Sequence, residues 1–87
     1  MEIKLGSRVR SKAGRDKGDD FIVIGIENEF AYIADGNLRK VEKPKKKKLK
    51  HLQGTNVVSE LVVKKIQSID NITNSEVRKA LAQTGEE

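Results

Sequence analysis

The side chains best placed to do chemistry are cations. Arg8, Arg10 and Lys12 alternate with Val9, Ser11 and Ala13. Arg15 and Lys17 follow in a short run punctuated by Gly14 and Gly18. Later, Lys43, Lys45, Lys46, Lys47, Lys48 and Lys50 crowd around Pro44, with His51 behind them and Arg39 and Lys40 just ahead. Ammonium and guanidinium groups bind phosphate oxygens through charge-assisted hydrogen bonds. Successive backbone N–H groups in a glycine-bearing loop can form a concave anion site. The charge is uneven along the chain. Residues 1–53 hold 14 Lys and Arg against 8 Asp and Glu, a net of +6, whereas residues 54–87 hold 4 against 5, a net of −1. Such asymmetry makes a local field that draws a polyanion, while evenly mixed charge serves mainly solubility.

Other chemistries are poorly supplied. Asp19 with Asp20, and Glu27 with Glu29, are paired carboxylates, but no nucleophile or metal-ligand cluster accompanies them, so solvated turn residues are the better reading. Cysteine is absent and His51 is the single histidine, which leaves neither a disulfide framework nor a zinc cluster. No G-x-x-x-x-G-K-S/T loop is present. No catalytic residue, metal or cofactor is expected, and the protein is not expected to be an enzyme. No apolar stretch approaches the roughly 20 residues needed to cross a bilayer, and residues 1–10 lack the apolar centre of a signal peptide. The expectation is a cytoplasmic protein without membrane association.

The elements that must position the cations are short strands. The alternation from Arg8 to Ala13 puts one set of side chains inward and a basic set outward. After a loop over Ala13 to Asp20, the run Phe21-Ile22-Val23-Ile24-Gly25-Ile26 reads as a central strand covered on both faces. Glu27-Asn28-Glu29 turns the chain into a strand over Phe30 to Ala34. Asp35-Gly36-Asn37 is a hairpin signal, with Leu38 to Glu42 as the return strand. The lysine run then interrupts, and Leu49 to Leu52 reads as a closing edge strand. Five strands in so short a stretch predict a small barrel, because closure removes exposed edges. Gly54 marks a change to helical spacing: Val58, Leu61, Val62, Ile66 and Ile69 form an apolar stripe with Asn56 as N-cap, although Leu61-Val62-Val63 could also pair as a strand. A second helix is signalled by the Thr73/Glu76 capping box ahead of Val77, Ala80 and Leu81, with Gly85 to end it. The division is thus a barrel over 1–53 and a helical extension over 54–87, which either packs on the barrel or serves as an interaction tail.

The segment Gly6 to Ile24 also resembles a KOW motif on Val9, Gly14, Lys17, Gly18 and Ile22 to Ile24. The stretch Val41 to Leu52 is similar to the continuation seen in small bacterial KOW-domain RNA-binding proteins, which are related to large-subunit ribosomal proteins. The resemblance covers about residues 4–52, with a less specific likeness over Thr73 to Leu81. It implies an SH3-like β-barrel, which with the strand and helix pattern above makes a mainly β chain, a five-stranded barrel followed by two short helices. It further implies recognition of structured RNA and no catalysis. Asp19 and Asp20 depart from the pattern, since many relatives carry a cation after the key glycine. Carboxylates there repel phosphate, so the loop contact is expected to centre on Arg15 and Lys17.

The expected function is therefore recognition of folded RNA, ribosomal RNA first, through backbone phosphates, by a monomer that also meets ribosomal proteins. The expected contacts are Arg8, Arg10, Lys12, Gly14, Arg15, Lys17, Gly18, Arg39, Lys40, Lys43, Lys45, Lys46, Lys47, Lys48, Lys50 and His51. For the lysine run the plain reading is a solvated linker, but Pro44 limits its flexibility and Leu49 and Leu52 anchor it. It also has the look of a nuclear localisation signal. For His51, an ordinary edge-strand histidine stands beside a phosphate or base contact. Phe21, Phe30 and Tyr32 lie in apolar strand contexts and read as core, which argues against single-strand recognition on aromatic platforms. A different reading makes the chain a protein-interaction adaptor of the translation or transcription machinery that docks through the apolar helices after Gly54.

Overall fold

In a computed structural model of the chain, residues 2–68 and 71–82 are described. Five strands, β1 (Ser7–Ser11), β2 (Asp20–Glu27), β3 (Phe30–Ala34), β4 (Lys45–Lys48) and β5 (Leu52–Val58), form one antiparallel sheet in the order β4-β3-β2-β1-β5. A short 3-10 turn, Leu49–His51, joins β4 to β5, and two helices follow, α1 (Glu60–Gln67) and α2 (Asn74–Ala82).

The two-faced run of β2 fixes this arrangement. Successive strand residues point to opposite faces, and both faces of β2 are apolar. Phe21 and Val23 meet Val9, Ala31, Ile33 and Leu52 in one core, against which Ile3 and Leu49 pack. Ile22 meets Val62, Val77 and Ala80 in a second core on the opposite face, joined by Ile24, Ile66 and Leu81. The helices are thus a lid over the outer face of the central strand. The sheet is strongly curled: Lys47 of β4 hydrogen-bonds the Ala13 carbonyl just beyond β1 at 2.7 Å, although β3 and β2 lie between those strands in the order.

Three of the expected strands occur where the alternation places them, and two are displaced. Leu38 to Glu42 is not a strand. The Asp35 carboxylate accepts hydrogen bonds from the N–H groups of Asn37 and Arg39, both at 2.8 Å, which folds the chain back on itself and denies those amides to a ladder. The return strand is the lysine run instead, with Ala31 opposite Lys47 and Ile33 opposite Lys45. Leu49 to His51 forms the 3-10 turn and not an edge strand. The edge strand on that side of the sheet begins at Leu52 and runs on past Gly54 to Val58 beside β1. Helical structure accordingly starts after Ser59, whose Oγ accepts from the Val62 N–H as N-cap, and Asn56 lies within β5.

The buried face of α1 is Val62 with Ile66, whereas Leu61 turns outward at 42 % exposure. Ile69 lies outside the described residues. The capping box forms as the spacing predicts: the Glu76 N–H donates to Thr73 Oγ1 at 3.2 Å, and the Thr73 N–H donates to Glu76 Oε1 at 2.9 Å. That backbone donor, helped by the Thr73 hydroxyl and by Lys65, lowers the Glu76 carboxyl below its usual range. Val77 and Ala80 are buried, and Gly85 is outside the described residues.

Ending the chain after Gln53 removes most of β5 and uncovers Ile22. Such a chain is expected to show no cooperative urea transition by circular dichroism. A transition at the midpoint of the full chain would contradict the role of the helices as a structural lid.

Candidate nucleic-acid interface

The loop between β1 and β2 is built around one carboxylate. Gly14 and Gly18 adopt φ of 86° and 91°, a region that disfavours any Cβ, so the loop turns back on itself. The Gly18 N–H donates to the Ser11 carbonyl at 2.9 Å, and the Lys17 N–H donates to the Gly14 carbonyl at 3.2 Å. This turn aims Asp16 inward. Its carboxylate accepts from Lys47 Nζ at 2.6 Å, Ser11 Oγ at 2.7 Å and Lys45 Nζ at 2.9 Å. Burial opposes ionisation of Asp16, but the hydrogen bonds from Lys47, Ser11 and Lys45, with the Lys47 charge, outweigh it and hold the carboxyl well below the usual carboxylate range. Lys47 is only 8 % exposed, and its bonds to Asp16 and the Ala13 carbonyl satisfy it.

Asp20 does similar work on β1. It accepts from Arg10 Nε at 2.8 Å and from Arg8 Nη2 at 2.8 Å, and the Arg10 bond first, with the Arg8 bond behind it, lowers its pKa against the opposing effect of burial. Arg8 also donates to the Leu81 carbonyl of α2 at 3.0 Å, so it ties the helical lid to the sheet. On β4, Lys46 points outward over the Phe30 ring, 4.6 Å from its centroid, and lies 3.8 Å from Glu27. Glu27 in turn accepts from the Tyr32 hydroxyl at 2.8 Å. Phe30 and Tyr32 are therefore half-buried on the outer face, while Phe21 alone of the three aromatics is core.

The expected contact residues divide accordingly. Arg8, Lys45 and Lys47 are drawn into the structure, and Arg10 and Lys46 are exposed but paired. Lys12, Arg15, Lys17, Lys48 and Lys50 are exposed and form no ion pair with a described residue. Two bonds bring the segments that carry Lys48 and Lys50 against the segment that carries Lys12, Arg15 and Lys17. The Lys12 N–H donates to the His51 carbonyl at 2.8 Å, which brings the turn carrying Lys50 against the end of β1, and Lys47 pins the strand carrying Lys48 to Ala13. Arg39 lines one shallow groove of about 250 Å³ together with Arg15. Lys40 and Lys43 continue from it along the exposed loop before β4. His51 is half-buried and contributes its carbonyl.

No family model matches the chain, and no curated protein matches it. Among the described residues no group of three or more His, Cys, Asp or Glu side chains could hold a metal ion, and no helix is long and apolar enough to cross a membrane.

The residues that reading the sequence undervalued are acidic. Asp20 stands in the sequence as a repellent of phosphate, yet it is the partner of two arginines. Asp16 carries no motif of its own; its one signal is a carboxylate between two turn glycines inside an otherwise basic loop.

A carboxyl whose pKa falls on folding adds stability that is fully present above its unfolded value, about 4. That stability is lost as pH falls toward the folded value. Asp16→Asn is thus expected to lower stability at pH 7 by about 3 kcal/mol, because Lys47 stays buried without its counter-charge. It should also flatten the decline between about pH 5 and pH 2. Urea unfolding across pH checks both, and parallel pH curves for the two proteins would contradict the assignment.

Proposed function

We propose that the protein is a non-enzymatic RNA-binding module that grips the phosphate backbone of folded RNA. The observation that carries this reading is a set of exposed cations on segments that are tied together, Lys12, Arg15 and Lys17 in or beside the loop that Asp16 holds, and Lys48 and Lys50 on the β4 segment bonded to it. Cations without carboxylate partners keep their full attraction for a polyanion, and a loop already ordered loses little entropy on binding. The aromatics favour folded over single-stranded RNA: Phe21 is core, Phe30 lies beneath Lys46, and the half-buried Tyr32 is tied through its hydroxyl to Glu27.

An SH3-like barrel is the fold that best fits the curled antiparallel sheet with β1 between β2 and β5 and a 3-10 turn joining β4 to β5. Ribosomal RNA as the target, and a cytoplasmic monomer as the working form, rest on the resemblance of residues 4–52 to small bacterial KOW-domain proteins. The adaptor reading needs a different surface from the one the sequence offers it, because Val62 and Val77 are covered by β2. What favours it is an open apolar cleft of about 700 Å³ floored by Leu5, Ile26, Val58 and Val63.

Titration of a structured RNA hairpin across salt tests the proposal. With about five phosphate contacts, log K should fall against log salt with a slope near −4. Arg15→Ala with Lys17→Ala should reduce that slope by about 2 while the urea midpoint stays in place. A flat salt response, or tighter binding to duplex DNA than to RNA, would sink it.

A further inference from the structure

The loop between β3 and β4 lifts an apolar side chain into water without any local packing reason. Leu38 is 89 % exposed, against 40 % and 42 % for Ile26 and Leu61, the other large apolar side chains exposed among the described residues. The loop beneath it is firmly tied. Besides the two amide bonds to the Asp35 carboxylate, the N–H groups of Asp35 and Gly36 donate to the Arg39 carbonyl at 2.9 and 3.1 Å. Arg78 of α2 donates to the Gly36 carbonyl at 2.5 Å, and the Val41 N–H donates to Asn74 Oδ1 at 2.8 Å. Gly36, at φ 77°, sits so close to α2 that a Cβ there would collide with the Asn74 carbonyl. A rigid loop that holds a leucine in solvent is preorganised for contact, since little freedom remains to be lost when the leucine is covered.

The surroundings of Leu38 say what covers it. Arg39 and Lys40 follow it directly and are exposed, and Leu38 lines the same groove as Arg15 and Lys45. Of the three acids on that wall, Asp35 is engaged by backbone amides and Asp16 by Lys47, Ser11 and Lys45, and Asp19 is the third. An apolar tip among cations fits an anionic polymer that exposes an apolar surface. One leucine is too small an anchor for stable membrane attachment. Continuous A-form RNA hides its base faces within the stack, but a bulge or helix end leaves one open. Apolar side chains are known to wedge against unstacked base steps in duplexes.

We infer that Leu38 is the apolar wedge of the interface, seated on the open face of a base at a bulge or helix end, with Arg39 and Lys40 on the flanking phosphates. This deepens the RNA-binding reading and rests on it. Two RNAs test it with the full chain: a 20-base-pair duplex and the same duplex with a single-nucleotide bulge. The protein should bind the bulged RNA about tenfold more tightly. Leu38→Ala should lose that preference while affinity for the continuous duplex stays within about twofold. Leu38→Met should keep it, and Leu38→Lys should tighten the continuous duplex without restoring it. Equal loss on both RNAs, or an unchanged bulge preference in Leu38→Ala, would overturn the wedge while leaving phosphate binding intact. Leu38-dependent binding to phosphatidylserine vesicles without any bulge preference would also overturn it. Failure of either RNA to bind the unsubstituted protein would remove the RNA-binding reading itself, and the wedge with it.

Discussion

Asp16 accepts hydrogen bonds from Lys47, Ser11 and Lys45, three residues drawn from β1 and β4. Those strands are not neighbours in the sheet order, so this carboxylate holds the curl of the sheet. The same bonds order the loop from Ala13 to Gly18 and hold the edge strand beside it. Without the carboxylate, Lys47 would be a charge 8 % exposed with only the Ala13 carbonyl as partner. In a chain whose two small cores hold a few valines, isoleucines and alanines with Phe21 and Leu52, such an ionic tie has a large share in defining one conformation.

From that tie follows a sorting of the positive charge. Lys45 and Lys47 point in and Lys46 and Lys48 point out, because strand side chains alternate. Arg8 and Arg10 are matched by Asp20, and Arg8 also takes up the end of α2. What remains outward is a narrower cationic surface than the composition advertises, and it is borne on a backbone that the inward cations keep fixed. The net of +6 over residues 1–53 therefore overstates the charge open to a partner.

The apolar alternation made much of this fold readable. Val9 and Ser11 face inward as the β1 pattern requires, β2 has two covered faces, and Thr73 with Glu76 caps α2. Where the pattern carried no information, the reading failed. Four consecutive lysines have no apolar period, so nothing in them shows a strand or tells which two are buried. Leu38 resembles the start of a strand in sequence, but the Asp35 carboxylate captures the amides that a strand would need. Gly54 looked like a boundary because glycine often ends an element, whereas here it pairs with Val9 inside β5. The acids were hardest to place, since the value of Asp16 and Asp20 lies wholly in contacts between separate strands.

On the proposed reading, adjacent lysines of β4 do opposite work: Lys47 holds the fold and Lys48 meets RNA. Comparison of Lys47→Met with Lys48→Met, each scored for urea midpoint and for the salt slope of hairpin binding, tests it most directly. The account predicts a lowered midpoint for the first with the slope kept under conditions where it is folded, and an unchanged midpoint with a slope smaller by about 1 for the second. Identical effects of the two substitutions on both quantities would contradict it.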